Sequence, residues 1–247
     1  MSRHWPFGVL LMAGVVLRGC AWLAYRPALA YIDTPRYLGH DGGGLDPLGY
    51  SYLLLRPVLL AGGGLAGVTA IQHLLGLAMA MTTYALLTRR GVNRWLAAAA
   101  TAPVLLDAYQ VVAEQMIMPD VLFEALIAAA TAILLMPRHP GARSVACGAV
   151  VLGLSATVRQ VGEVLIGPAL GYMFAAAPGW RAGTARALAG TAAFALPVVA
   201  YMALSASLGV ARRRRAGDQY QVPAAELRPA RPGEPGRDRP ALRHGGP

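Results

Sequence analysis

The chain has 247 residues, 56% of them hydrophobic and 14% charged, with a mean hydropathy of +0.47. A soluble domain carries about 25% charged residues, so an ordinary water-soluble enzyme is excluded. The net charge of +10 does not indicate nucleic acid either, because residues 211–247 hold nine Arg against four acids and much of the remaining Arg flanks apolar segments.

In chain order, the first apolar segment runs from Pro6 to Ala30. It is too long for a signal-peptide core and lacks a convincing cleavage site, so it reads as a retained helix. Arg18 lies inside it, and a cation at membrane depth must face protein, snorkel or find a partner. Residues 31–65 form a polar loop that carries three of the eight acids in the first 210 residues: Asp33, Asp41 and Asp46. Within that loop Tyr50–Leu60 is apolar but short for a span of about twenty residues, which suits a helix lying in the membrane surface. Gly62-Gly63-Gly64 then breaks the chain.

Further apolar segments follow at Ala66–Thr88, Trp95–Val112, Val121–Pro137, Val145–Val158, Val164–Ala177 and Ala187–Gly209. Arg159, Gln160 and Glu163 form a polar elbow between two short pieces, read as two tilted spans. The expectation is an all-α polytopic bundle of about seven spans over residues 1–210, with one interfacial helix in the first outward loop. Arg3, Arg89, Arg90, Arg94, Arg138, Arg143, Arg181 and Arg186 fall on one side, which the positive-inside bias makes cytoplasmic. The other side receives residues 31–65, the Glu114–Asp120 turn and the Arg159–Glu163 elbow. Residues 211–247, rich in Arg, Pro and Gly, offer no apolar face and are expected to be disordered. Two readings of that abrupt change stand: an ordinary tail, or the end of a truncated chain.

Cys20 and Cys147 lie in apolar segments and read as inert thiols. Gly42-Gly43-Gly44 lacks the Lys-Ser/Thr of a phosphate-cradling loop, and no zinc-ligand cluster or nucleophile elbow is present.

Asp33, with Tyr37 four residues on, is followed by Asp46-Pro47-Leu48-Gly49-Tyr50. These motifs resemble the GT-C membrane glycosyltransferases, particularly the aminoarabinose-transferase-like and protein-mannosyltransferase-like branches. Ile71-Gln72-His73-Leu74-Leu75-Gly76-Leu77, Gln115–Phe123 and Ala156-Thr157-Val158-Arg159 extend the resemblance over roughly residues 8–208. The chain departs from the family at Gln160, where Pro is usual, and in having about half the usual length.

The resemblance implies sugar transfer from a polyprenyl-phosphate donor at the outer face of a bacterial cytoplasmic membrane, or an inactive, truncated member of that family. Asp33 is then the catalytic base, since a carboxylate accepts the acceptor proton and faces the positive charge that develops on the sugar. Tyr37, Glu114, Asp120 and Arg159 are expected to bind substrate, Arg159 as the phosphate ligand. Glu114 or Asp120 is the candidate for a divalent metal if the reaction uses one. The expected partners are the lipid-linked donor and membrane lipid, with the acceptor unidentified.

Each residue also has a plainer reading. Asp33 suits an Asx turn before Thr34-Pro35, and Asp41 and Asp46 suit turns beside Gly and Pro. Asp120 suits a helix cap, Arg159 an intrahelical pair with Glu163, and His73 an internally satisfied polar group. The alternative function is a non-enzymatic transporter or assembly subunit that uses Arg18 and Asp107 as intramembrane charges, although no internal repeat supports a transporter.

Overall fold

The structure, a computed structural model, describes residues 4–38 and 47–219, with side chains as far as Ser207. The expectations for Asp41, Asp46, Gly42-Gly43-Gly44 and residues 220–247 lie outside the described residues. The chain divides after Ser205 into two compact units, and every site below belongs to the first. In the second, the backbone is helical from Ala206 through Gln219.

Among the described residues the chain is all-helical, with one isolated β-bridge and no strand. Helix α1 spans Trp5–Ala24. It stops six residues before Ala30, because Pro27 lacks an N–H and disfavours helical backbone at the residue before it. A single turn, α2 (Thr34–Tyr37), follows. The short apolar stretch Tyr50–Leu60 is helical, as a π-helical turn, Ser51–Leu55, continuing into α3 (Arg56–Leu60). Gly64–Arg89 forms α4.

The stretch read as one segment, Trp95–Val112, is two helices, α5 (Arg94–Leu106) and α6 (Ala108–Gln115), bent by 47°. Pro103 removes one rung of the hydrogen-bond ladder. Asp107 is extended and caps α6, accepting from Tyr109 N at 3.0 Å. The remaining helices are α7 (Asp120–Leu135), α8 (Ala142–Val158), α9 (Ile166–Ala175) and α10 (Trp180–Gln219). Arg159 is extended, and a 3₁₀ turn, Gln160–Leu165, makes the elbow between α8 and α9.

Among the described residues three helices are long and apolar enough to cross a membrane: Trp5–Ala24, Gly64–Arg89 and Trp180–Ser207. The bent pair α5 and α6 makes a fourth if it counts as one span. These mark the chain as a helical membrane protein. Helices α7 and α9 are shorter than a straight span: 16 residues in α7 and ten in α9 rise only about 24 Å and about 15 Å, against a hydrocarbon core of about 30 Å.

The helix ends gather at two ends of the bundle. At one, Arg89 Nε donates to Met136 O at 2.9 Å, Arg90 donates to Leu135 O, and Trp5 meets Trp95 edge-on at 5.2 Å. At the other, the stretch after α1 pairs with the turn after α6. Leu29 and Met116 form the parallel bridge, and Leu29 N donates to Gln115 O at 2.9 Å. An apolar cluster of Tyr50, Leu54, Leu55, Val68, Ile117 and Val158 ties that end together. It draws on each of the segments expected to face outward or on a helix next to one.

Candidate functional site

The site end is assembled on small residues. A Cβ at Gly49 would lie 2.3 Å from Thr157 O, so only glycine lets the chain entering the Ser51–Leu55 turn rest on the end of α8. Tyr50, next in the chain, is fully buried and meets Tyr37 edge-on at 5.4 Å. Burial, with Tyr37 beside it, pushes the Tyr50 phenol well above its ordinary value. It therefore keeps its proton and donates to Gln72 Oε1 at 2.8 Å.

From Gln72 a buried polar network runs inward. Gln72 Nε2 donates to the carbonyls of Glu114 (2.8 Å) and Met116 (2.7 Å), holding the end of α6. Glu114 is completely enclosed. Arg18 grips its carboxylate with two parallel bonds, Nε to Oε2 and Nη2 to Oε1, both 2.7 Å. The other Arg18 donors reach Leu105 O at 2.8 Å, Val104 O at 2.9 Å and Gly14 O at 3.4 Å.

His73 Nδ1 donates to Glu114 Oε2 at 2.8 Å, and His73 Nε2 faces Gln115 Oε1 at 2.8 Å. Gln115 Nε2 donates to Tyr25 O at 2.9 Å, which fixes the amide with its oxygen toward the imidazole. Both ring nitrogens of His73 therefore face side-chain oxygens.

This geometry revises two expectations. Glu114, expected to bind substrate, has its oxygens taken by Arg18, His73 and, at 3.3 Å, Gln110. No surface of it remains for a ligand, and it acts as an internal clamp. Arg18 and Asp107, the proposed pathway charges, do not act together: Arg18 is spent on Glu114, and exposed Asp107 caps α6.

The accessible chemistry lies at the start of α7 and the end of α8. Arg159 Nη1 bonds Asp120 Oδ1, joining residues 39 apart in sequence. Extended backbone at Arg159 ends α8 and turns its side chain to Asp120, so the intrahelical pair with Glu163 does not form. Asp120 is the first residue of α7 and makes no capping bond. Its Oδ2 is buried with no hydrogen-bond partner among the described residues, while Arg159 stays 42% exposed. Gln110 bridges this corner to the clamp by donating to Glu124 Oε2 at 3.2 Å and to Glu114 Oε1.

Asp33 stands at the same end. Its carboxylate pairs with Arg36 at 3.2 Å and is 36% exposed. Its expected turn is present in another form: Tyr31 N donates to Thr34 Oγ1 at 2.8 Å, and Asp33 itself makes no capping bond. Thr34 Oγ1 donates to Ile117 O at 3.4 Å, which seats the Asp33 turn on the segment leading to Asp120. The structure thus brings the Asp33, Asp120 and Arg159 segments to one end and sets Glu114 inside the bundle.

Comparison with protein-family models, with curated proteins and with solved structures yields no match to this chain. Among the described residues no three His, Cys, Asp or Glu side chains gather as a metal-ion site. The two acids considered for a divalent metal do not fit one either, since Glu114 is saturated and Asp120 Oδ1 is held by Arg159.

Gln72, Gln110, Gln115 and Glu124 were missed as participants. Their signal was helical spacing: Gln110 and Glu114, like Asp120 and Glu124, stand four apart and share a helix face.

Proposed function

We propose that the chain is a membrane glycosyltransferase, or a member of that class reduced in activity, acting on a sugar carried by polyprenyl phosphate at the Asp33 end of the bundle. The observation that carries this reading is the Asp120–Arg159 pair, set beside the Asp33 turn by the Leu29–Met116 and Thr34–Ile117 contacts. It joins a half-exposed guanidinium to a partly exposed carboxylate.

In this reading Asp33 takes the proton of the acceptor hydroxyl as the acceptor oxygen bonds to the anomeric carbon. The bond from that carbon to the phosphate oxygen breaks, and polyprenyl phosphate departs. Arg159 supplies fixed positive charge to the departing phosphate, and Asp120 holds the guanidinium in place. The exposed apolar flanks of α1 and α10 face lipid and the polyprenyl tail. Full traversal by α7, α8 and α9, giving about seven passes, belongs to the same proposal. So does a bacterial cytoplasmic membrane with the Asp33 end outward.

The test is transfer of label from a radiolabelled polyprenyl-phosphate sugar in membranes containing the protein. Incorporation above that of membranes lacking the protein, and lost in Asp33→Asn, supports the reading. Equal incorporation with and without the protein, across a panel of donor sugars, would sink it.

A further inference from the structure

The opposite end of the bundle holds a second site, independent of the proposed transfer chemistry. An open recess of about 950 Å³ lies between the start of α1, the end of α4 and the start of α5. His4, Arg89, Asn93, Arg94 and Trp95 line it, and no acid is among its described lining residues.

The donors are unevenly used. Arg89 spends Nε on Met136 O, and among the described residues its other guanidinium N–H groups make no bond. His4 spends Nδ1 on Tyr84 OH at 2.8 Å, leaving Nε2. Asn93 uses its carbonyl to cap α5, accepting from Trp95 N at 2.9 Å, which leaves its amide N–H₂ as a donor. Arg94 is exposed and has no hydrogen bond or ion pair among the described residues. Two guanidinium groups, an imidazole and an amide donor therefore face a recess without a negative charge of its own.

Size and setting narrow the ligand. The volume is at the upper end of the roughly 300–1,000 Å³ of small-molecule sites, far more than a lone phosphate fills. Trp5 and Trp95, packed edge-on, are 53% and 50% exposed beside it, and Leu96 next to them is 65% exposed. Tryptophan with an exposed face beside arginine is the signature of the lipid–water boundary. Ordinary topology signalling needs the arginines only on one side of the membrane; it does not need them gathered around a recess.

We propose that this recess binds the phosphate-bearing headgroup of an anionic phospholipid, with Arg94 and Arg89 on the phosphate and the Trp5–Trp95 pair at the level of the glycerol backbone. Basic pockets between helices at a membrane surface serve this role generally.

The experiment uses the full chain reconstituted into phosphatidylcholine nanodiscs containing a small fraction of phosphatidylglycerol with bromine on its acyl chains. Quenching of tryptophan fluorescence reports its proximity, and mass spectrometry of the detergent-extracted protein reports lipid retained. The expected result is preferential quenching and retention of phosphatidylglycerol. Apparent affinity should fall about fivefold in Arg94→Gln and further in Arg89→Gln/Arg94→Gln, with little change in Arg186→Gln. Arg94 has no partner among the described residues to lose, so the single variant stays folded. Equal retention by wild type and Arg94→Gln, or equal retention of phosphatidylcholine, overturns the site. Full displacement by millimolar inorganic phosphate overturns the lipid assignment in favour of a soluble phosphate ligand.

Discussion

Arg18 and Glu114, 96 residues apart, form a bidentate ion pair that is almost wholly shielded from solvent, at 2% and 0% exposure. It joins the middle of α1 to the last turn of α6. The pair is not isolated: His73, Gln110 and three backbone carbonyls complete the donors and acceptors. Desolvating two charges is costly, and only such full satisfaction offsets it.

Breaking the pair from one side should therefore be severe. Glu114→Ala leaves Arg18 and His73 facing each other without a carboxylate, and about 3–5 kcal/mol of stability should be lost. Arg18→Met combined with Glu114→Gln removes both charges and keeps an acceptor for His73, so it should recover part of that loss. Thermal unfolding in detergent measures both. A double variant no more stable than Glu114→Ala would show that the pair does not set the cost.

Gly76 provides the space for this clamp. A Cβ there would lie 1.9 Å from Glu114 Oε1 and 3.0 Å from Arg18 Nη2. Gly76→Ala should displace the carboxylate and lower the melting temperature, although alanine is the better helix former. Gly19→Ala, on α1 with nothing near its Cβ, is the control. It should be neutral or stabilising by up to about 1 kcal/mol. Equal melting temperatures for the two variants would mean that the clamp relaxes freely around a methyl group.

Arg18 also shows how far the sequence could be read. A cation inside an apolar segment demands a partner, and that demand is visible without coordinates. Which acid answers it depends on the bend at Pro103 and Asp107, which splits one apparent span into α5 and α6 and turns Glu114 inward. Helix spacing alone cannot place a side chain across such a bend. The apolar runs foretold most helices, because hydrophobic length is a local property. Span lengths were overstated where Pro27 ended α1 early and where α9 proved short. The Asp120–Arg159 pair was legible as two polar breaks on the same predicted side, but their contact comes from tertiary packing.

The proposed sidedness makes a separate prediction. Ile32, 81% exposed beside Asp33, and His139, exposed in the α7–α8 turn, stand at opposite ends. With Cys20 and Cys147 replaced by alanine, Ile32→Cys should react with an impermeant maleimide in intact cells. His139→Cys should react only after the membrane is permeabilised. The reverse pattern would invert the bundle and move the Asp33 end to the cytoplasm, where the proposed donor is not presented.

Arg159 gives the sharpest test of the chemistry, because its position separates charge from geometry. One guanidinium nitrogen is committed to Asp120, and the rest of the group is accessible. Arg159→Lys keeps the positive charge but loses the planar fork that spans two phosphate oxygens. Arg159→Gln loses both. The pair is partly exposed, so neither change should move the melting temperature by more than a few degrees. Catalysis should respond in graded fashion. A charge-assisted hydrogen bond is worth about 1.5–3 kcal/mol, so Arg159→Gln should lower kcat/KM for the polyprenyl-phosphate sugar by about 10- to 100-fold, with Arg159→Lys between it and wild type. Asp120→Asn leaves Arg159 charged but loosens its anchor, and should raise KM more than it lowers kcat if Arg159 binds the phosphate equally in ground and transition states. Asp33→Asn should instead lower kcat by about 10²- to 10⁴-fold with KM little changed, as loss of a general base requires. Two arginine variants with wild-type kcat/KM would remove the phosphate role from Arg159, even if Asp33→Asn proves inactive.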